Sequence, residues 1–408
     1  MIKTRDEYLQ KYWNAYPECP RGFLQYGRVH QLRLGVSQLA DFKARDAQDF
    51  TGKDILLDGD LIALMPAGQF VLLAPNMTSK PGFYKADEHP WTLKKNYYEY
   101  LQLLRIFFVE KRFLEATTPT LVDCPGTEPS LNPFITELVI GSKRQRFYLP
   151  TSPELHLKKL LSMGADRVFE IAHVFRNGEK TEKHHPEFLM LEWYRSMSYL
   201  ANIKHDAIEL VEYLCDKLKV EKPKEVLTFS VAELFKTYCE FDLKPETTTQ
   251  ELKELALKLN VDVASAETID DYFYLIFMDK IEYRWPADRL VFVEKYPPYQ
   301  AALARIDKDG WAERFEIYWK GLELANAFHE LNNPQVQRQR SLDDLAKKTK
   351  AKQETVGLDE QFFQALEYGM PPSAGIALGI ERLYMALRNV KSIDSLVDFS
   401  NSSVLYGK

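Results

Sequence analysis

The stretch VFRNGEKTEKHHPEF, residues 174–188, lies between two segments rich in β-branched and aromatic residues, RVFEIAHVFR (167–176) and FLMLEWYR (188–195). Both flanks alternate in part, which predicts two antiparallel strands joined by a polar loop with two histidines. Alternation puts Arg176 on one face with Val174, Ala172 and Glu170, and puts Phe188, Met190, Glu192 and Tyr194 on one face of the return strand. A hairpin can bring both sets to the same side, so that a guanidinium, an aromatic plane, a carboxylate and a phenol converge. The planar fork of arginine suits phosphate. A phenyl ring beside it suits a nucleobase, whose edge the loop backbone can read. The plainer alternative is a surface hairpin with one ion pair.

Three other stretches carry chemistry. In RFEIYWKGLELANAFHEL (314–331), Lys320-Gly321 reads as a two-residue turn, which sets Tyr318 opposite Glu323 with Glu316 diagonal to it on the same face. Diagonal Cβ atoms lie roughly 7 Å apart, within reach of a shared divalent cation such as Mg²⁺. The alternative is a solvated acidic face, which the neighbouring Phe, Tyr, Trp and Leu side chains disfavour. Asn326, Phe328 and Glu330 have the opposite parity and join Glu323 only if the strand bulges near Ala325. AGIALGIERL (374–383) is a glycine-punctuated strand entering a helix at Glu381-Arg382. Gly379 allows close approach of a ligand, and Arg382 adds charge to the positive end of the helix dipole. Such joins are common, so this stretch carries little by itself. In TSPEL, Thr151-x-x-Glu154 fits a capping box; the functional alternative for Glu154 is a pocket carboxylate that recognises an ammonium.

A chain of 408 residues implies one large or two unequal domains. At 45% hydrophobic it can bury a substantial core, and its net charge of −6 argues against general attraction to nucleic acid, leaving only a local basic patch. Cys19, Cys124, Cys215 and Cys239 are far apart without a CxxC pair, which predicts reduced thiols rather than a zinc site or disulfides. No apolar run reaches membrane-spanning length and MIKTRDEYLQ lacks a signal peptide's core, so a cytoplasmic location with no membrane partner is expected.

Prolines, glycine and polar residues in PNMTSKPGFYKADEHPW (75–91) mark a break. Residues 1–88 then form a small β-rich domain, a reduced barrel in outline, with turns at Asp58-Gly59 and Ala67-Gly68. Residues 89–408 form the larger domain. It opens with an amphipathic helix in NYYEYLQLLRIFFVEKRFLE (96–115), followed by TTPTLVDC with Pro119 at a strand edge. LPTSPELHLKKLLSMG predicts a helix capped by Thr151 or Ser152 with Pro153 in its first turn. A helical stretch over about 199–260, strands near 290–293 and 314–330, and a Lys/Gln-rich segment over 335–355 follow. The irregular interleaving predicts an α+β fold, an antiparallel sheet flanked by helices, rather than a doubly wound one.

TTPTL after an amphipathic helix, VFRN…HHPEFLMLEWY and GIALGIERL resemble motifs one, two and three of class II aminoacyl-tRNA synthetases. TSPELHLKKLL, ERFEIYWKGLELANAFHEL and GMPPSAGIALGIERL look most like the elongation factor P lysyl ligases, stand-alone relatives of lysyl-tRNA synthetase. The resemblance covers about 90–408. It implies ATP-dependent formation of a lysyl- or β-lysyl-adenylate and transfer to a lysine of elongation factor P. The alternatives are a lysyl-tRNA synthetase acting on tRNA and a non-catalytic regulatory module. By the same resemblance, Arg176 and Arg382 are catalytic, holding the α- and γ-phosphates, and Phe188 stacks on adenine. The backbone near His185 reads the adenine edge, with Asn177, Gly178, Glu179, His184, Leu324 and Gly379 near the nucleotide. Glu316 and Glu323 match Mg²⁺ ligands. Ser152, Pro153, Glu154, Glu192, Tyr194, Asn326, Phe328, Glu330 and Ala377 match the amino-acid pocket, and Pro119 implies a homodimer.

Ser152 and Ala377 stand where lysyl-tRNA synthetases usually have alanine and glycine, as in the elongation factor P ligases. The extra methyl at Ala377 biases the site toward a β-amino acid, modestly. Two features depart from the pattern. Gly178 takes the place of the usual motif-two acid, which here follows as Glu179. Some ninety residues also precede motif one, fewer than the anticodon-reading barrel of lysyl-tRNA synthetases and without a strong basic or aromatic stripe.

Overall fold

The computed structural model describes residues 25–33, 36–39, 60–65, 69–74 and 90–397, apart from 265 and 283. The chain divides into two compact units, Met1–Asn96 and Tyr97–Lys408. In the first, strands β1 (Gln25–Arg33), β2 (Val36–Leu39), β3 (Leu61–Met65) and β4 (Gln69–Ala74) form an antiparallel sheet in the order β2-β1-β3-β4. The turns expected at Asp58-Gly59 and Ala67-Gly68 lie outside the described residues, as does any closure of the sheet into a barrel.

Helix α1 (Pro90–Glu110) buries Tyr97, Tyr100, Leu104, Phe107 and Phe108, a helical spacing that gives one apolar stripe. It is followed by a short strand, β5 (Leu114–Glu115). Pro119, expected at a strand edge, instead lies in irregular chain after β5, and pairing resumes only as the single bridge of Val122 with Tyr148. A hairpin that the sequence reading did not anticipate comes next, β6 (Phe134–Ile140) and β7 (Lys143–Leu149).

Helix α2 (Glu154–Ser162) has Pro153 at its cap position, and the expected capping box does not form. The Thr151 hydroxyl donates to the Pro125 carbonyl at 2.8 Å, Ser152 Oγ accepts a long bond from the Glu154 N–H, and the Glu154 carboxylate turns toward Lys158. Strands β8 (Arg167–Phe175) and β9 (Glu187–Ser196) form the expected hairpin. Helix α3 (Leu200–Leu218) is followed by β10 (Val226–Ser230), α4 (Val231–Cys239), α5 (Thr249–Lys258) and α6 (Ile269–Ile276). The stretch expected to be helical therefore contains a strand. Then come β11 (Leu290–Tyr296), β12 (Ala312–Trp319), β13 (Leu322–His329), α7 (Pro334–Lys350), α8 (Glu360–Gly369), β14 (Ser373–Gly379) and α9 (Ile380–Arg388).

One eight-stranded sheet organises this unit, in the order β10-β11-β12-β13-β14-β9-β8-β5. Only the two edge strands pair in parallel; the other neighbours are antiparallel, as expected for the α+β class. Alternation assigns its faces. Phe169, Leu191, Trp193, Phe315, Ile317, Ile376 and Leu378 pack against α1, α3 and α9 in the main core. The opposite face is covered mainly at its ends. Helices α2 and α8 pack over Val168 and Tyr194, and α4 to α6 pack over Val291, Val293, Tyr296 and Tyr318. Between these two caps lies the polar middle of the sheet. Cys124, Cys215 and Cys239 are free and buried.

Candidate active site

The polar middle has a floor and two walls. Its floor is β14, whose residues on this face are Ser373, Gly375, Ala377 and Gly379, all small, while Ala374, Ile376 and Leu378 face the core. The register aligns two rows of side chains across the strands. One runs Glu170, Glu192, Ala377, Asn326, Glu316; the next runs Val168, Tyr194, Gly375, Phe328, Arg314. Small residues in the centre with long ones on either side make a trough. Gly375 is required there, since a Cβ would lie 2.2 Å from the Tyr194 ring and 2.8 Å from Glu330 Oε1.

Asn326, Phe328 and Glu330 reach this face because of a bulge. Tyr318 pairs with Glu323 but Ile317 pairs with Ala325, which leaves Leu324 as the extra residue. Leu324 and Ala325 both pack into the main core, and every later residue of β13 changes side. The side chain of Leu324 therefore points away from the trough, leaving only its backbone to face a ligand.

At one end of the trough, Arg176 follows β8 and its backbone N–H donates to the Pro186 carbonyl at 2.9 Å, closing the hairpin. Val174 lies opposite Phe188, and the Arg176 guanidinium sits 5.3 Å from the Phe188 ring centre. Gly178 adopts φ +89, a turn open to glycine that brings Glu179 to within 3.9 Å of Arg176. Nε of Arg176 is buried without a partner, so the guanidinium has bonding capacity left for an anion. Asn177 is exposed on the loop and its N–H donates to the Asn132 carbonyl.

Arg382, in the first turn of α9 just after Gly379, reaches back over the same loop. Its Nη1 donates to the Glu323 carbonyl at 3.0 Å and lies 3.5 Å from the Glu323 carboxylate. Its Nη2 lies 2.5 Å from His184 Nε2. Arginine only donates, so this nitrogen of His184 accepts and Nδ1 donates to Thr181 Oγ1 at 2.8 Å. Burial, then the charge of Arg382, hold His184 below the usual histidine range. His185 is buried, with Nδ1 2.6 Å from the Glu187 carbonyl.

Glu316 is more enclosed than its spacing suggests. Arg314 donates to one oxygen, and Tyr296 and Tyr318 both donate to the other at 2.5 Å. Glu323 is half-buried, and burial followed by the charge of Glu316 raises its pKa. Among the described residues no group of three or more His, Cys, Asp or Glu forms a metal cage. Two facing carboxylates of which Glu323 remains open still fit Mg²⁺, an ion that takes one or two carboxylates and fills its other positions with phosphate oxygens and water. Arg314 also donates through Nε to Asn326 Oδ1 at 3.0 Å and through Nη1 to the Gln300 carbonyl, so one buried guanidinium orients both Glu316 and Asn326.

At the other end of the trough three carboxylates converge. Lys158, fully buried, bridges Glu154 at 2.6 Å and Glu330 at 2.5 Å. Tyr194 donates to Glu192 Oε2 at 2.9 Å, and Glu192 Oε1 is buried without a partner. Burial and then the charge of Glu154 push the Glu192 carboxyl well up; burial takes Glu330 up to about 8 against the opposing pull of Lys158. Ser152 and Pro153 enter this end because the Pro150 carbonyl accepts the Phe175 N–H at 2.9 Å. Three acids against one internal ammonium leave the pocket short of positive charge, and an amine can supply it. Sequence reasoning missed Lys158, Arg314 and Gly375; only Lys158 had a visible signal, its i+4 spacing from Glu154.

This sheet, with a motif arginine at each side of one loop, defines a class II synthetase-type catalytic domain. The family of class II tRNA synthetases (D, K and N) matches residues 91–403. Elongation factor P–(R)-β-lysine ligase of Haemophilus influenzae is 37% identical over 302 residues, covering 73% of this chain and 91% of that protein. The ligases of the same name from Edwardsiella ictaluri and Avibacterium paragallinarum are 36% and 35% identical over 74% and 73% of this chain, and 92% and 91% of their own. The chain belongs to this family of class II synthetase-like ligases and is an ATP-dependent ligase.

Proposed function

We propose that the protein joins ATP and a diamino acid, lysine or (R)-β-lysine, to form an aminoacyl-adenylate, and transfers the acyl group to a lysine side chain of elongation factor P. The observation that carries this reading is the trough itself. A guanidinium with an unpartnered buried Nε stands at one end, and three carboxylates with one internal ammonium stand at the other. The names of the relatives support the choice of substrate and acceptor.

In this reading Phe188 stacks on adenine, with the backbone by His185 along the base edge. Arg176 holds the α-phosphate, and Arg382 leaves His184 and Glu323 to hold the γ-phosphate. Mg²⁺, when bound, would be held by Glu323 with Glu316 behind it and would offset phosphate charge. Glu154, Glu192, Glu330 and Tyr194 grip the amino groups, and Asn326, Phe328, Ser152 and Pro153 shape the space between. The substrate carboxylate, already ionised, attacks the α-phosphorus and diphosphate leaves. Two anions must meet, so the guanidinium groups contribute by position and charge, without a catalytic base for this step. Ala377, between Glu192 and Asn326, narrows the site and favours the β-amino isomer.

A homodimer built on α1 and β5 is part of the proposal; exposed Ile106, Val109 and Leu114 support it. So is a cytoplasmic location; no helix among the described residues is long and apolar enough to cross a membrane. The test offers labelled lysine and (R)-β-lysine with ATP and Mg²⁺, and supplies elongation factor P and tRNA separately. Label on elongation factor P is expected. Label on tRNA alone would replace this reading with that of a lysyl-tRNA synthetase.

A further inference from the structure

The loop between β8 and β9 poses a problem of order. It carries the groups that face the nucleotide in the reading above, yet Thr181, Glu182 and Lys183 at its tip are exposed. Fixing such a tip costs conformational entropy that its contacts must offset. The tip nevertheless sets His184, the residue that accepts from Arg382. Thr181 Oγ1 accepts from His184 Nδ1 at 2.8 Å, and the Thr181 N–H donates to the His184 carbonyl at 3.1 Å. Whatever holds Thr181 therefore helps to hold Arg382.

We propose that Asp394 is a positioning residue for ATP, tying this loop through Lys180 to a turn seated in the main core. The role rests on the nucleotide site assigned above. The residues on either side of Thr181 are both bound to that one turn, Ile393–Ser395. Lys180 Nζ pairs with Asp394 Oδ1, and the Glu182 carbonyl accepts the Ile393 N–H at 2.9 Å. The turn is fixed in its own right. Ile393 and Leu396 are buried in the core that also holds α9, the Asp394 N–H donates to Ser392 Oγ at 3.4 Å, and Ser395 Oγ donates to the Ser392 carbonyl at 2.8 Å. The Lys180 side chain is 12% exposed and that of Asp394 31%, so water screens this pair less than a fully exposed one. A further tie, from Lys183 Nζ to the Gly321 carbonyl at 2.9 Å, joins the tip to the turn between β12 and β13.

The pair acts by limiting how the loop moves. When a phosphate takes Arg382 from His184, the loop loses one anchor, and the Ile393–Ser395 turn keeps Thr181, His184 and the backbone at His185 in place. Without Asp394, ATP has to order the tip at the expense of its own affinity. The amine pocket, formed by Glu154, Glu192 and Glu330 at the other end of the trough, has no share in that cost. Lys180 contributes through Asp394 and not as a phosphate ligand, because its ammonium is committed to that carboxylate.

The experiment is a double-mutant cycle of Lys180→Ala and Asp394→Ala in the full chain. It is read by the calorimetric Kd for ATP and by the KM values for ATP and lysine in ATP–diphosphate exchange. Each single variant is expected to weaken ATP binding about tenfold, the scale of one charge-assisted hydrogen bond, with the amino-acid KM unchanged. The double variant should lose little more than either single one, and Asp394→Glu should keep most of the affinity that Asp394→Ala loses. Additive losses, an equal rise in both KM values, or no loss in either single variant would overturn the role of Asp394. So would tighter ATP binding by Asp394→Ala, which would make Lys180 a phosphate ligand that Asp394 holds back. ATP binding by the unaltered protein without exchange on lysine or (R)-β-lysine would overturn the proposed function instead, while the ATP affinities of the variants would still decide the role of Asp394.

Discussion

Lys158 decides what the amine pocket lacks. Bridging Glu154 and Glu330, it satisfies part of a three-carboxylate charge and leaves Glu192 with an open buried oxygen. A buried carboxylate without enough positive charge keeps a proton, which is why Glu330 rises to about 8. A cationic substrate favours the ionised acid, so its binding expels that proton. The KM for lysine is therefore expected to fall as pH rises from about 6 to about 8 and then level off, and Glu330→Gln should remove this dependence. Folding shows the same linkage. The folded chain retains a proton on Glu330 that the unfolded chain releases near its ordinary pKa of about 4.3. That contribution to stability is complete below this value and is lost as pH rises through about 8, so the melting temperature of the substrate-free protein should fall across this window, with lysine restoring part of it. The i+4 spacing of Glu154 and Lys158 is plain in the sequence. That Lys158 also meets Glu330 is not, because the contact joins distant segments through the sheet.

Two hairpins are readable in the sequence, whereas the β6–β7 hairpin is not. Alternation and a polar loop announce β8–β9, and Lys320-Gly321 announces the turn between β12 and β13. The bulge at Leu324 is a different matter. Two successive apolar residues, Leu324 and Ala325, look ordinary in sequence, and only the demand of the core for both places Asn326 on the trough side. Strand β10 was hidden within a helical-looking stretch because its five residues gain order by pairing with β11. The capping-box pattern misled because Pro125 and Lys158, not the helix N-terminus, claim Thr151 and Glu154. Strand β14 makes the sharpest demand on a single residue. Gly375→Ala inserts a methyl 2.2 Å from the Tyr194 ring. It should cost about 1–3 kcal/mol of stability, on the scale of core overpacking, and raise the KM for the amino acid more than that for ATP. Denaturant unfolding and the two KM values test this together; an unchanged amino-acid KM would contradict the trough geometry.

For the molecule as a whole, three motifs in the right order made the catalytic family legible, whereas the sheet order that joins them was not. The antiparallel class followed from the irregular succession of elements, but β14 pairs on one side with β13, the strand before it, and on the other with β9, far earlier in the chain. The family match begins at residue 91 and the relatives align over about three quarters of this chain. A chain starting at residue 89 is thus expected to keep amino-acid-dependent ATP–diphosphate exchange close to that of the full chain; loss of exchange in a folded truncation would assign the preceding residues a part in adenylate formation. The amine pocket is tested most directly by that same exchange reaction, run with lysine, (R)-β-lysine and norleucine, which has lysine's carbon chain without its terminal ammonium. Exchange is expected with the diamino acids and almost none with norleucine, whose methyl end brings no ammonium to draw the proton from Glu330 or to bond the open oxygen of Glu192. Equal exchange with norleucine, or none with either diamino acid, would contradict that pocket.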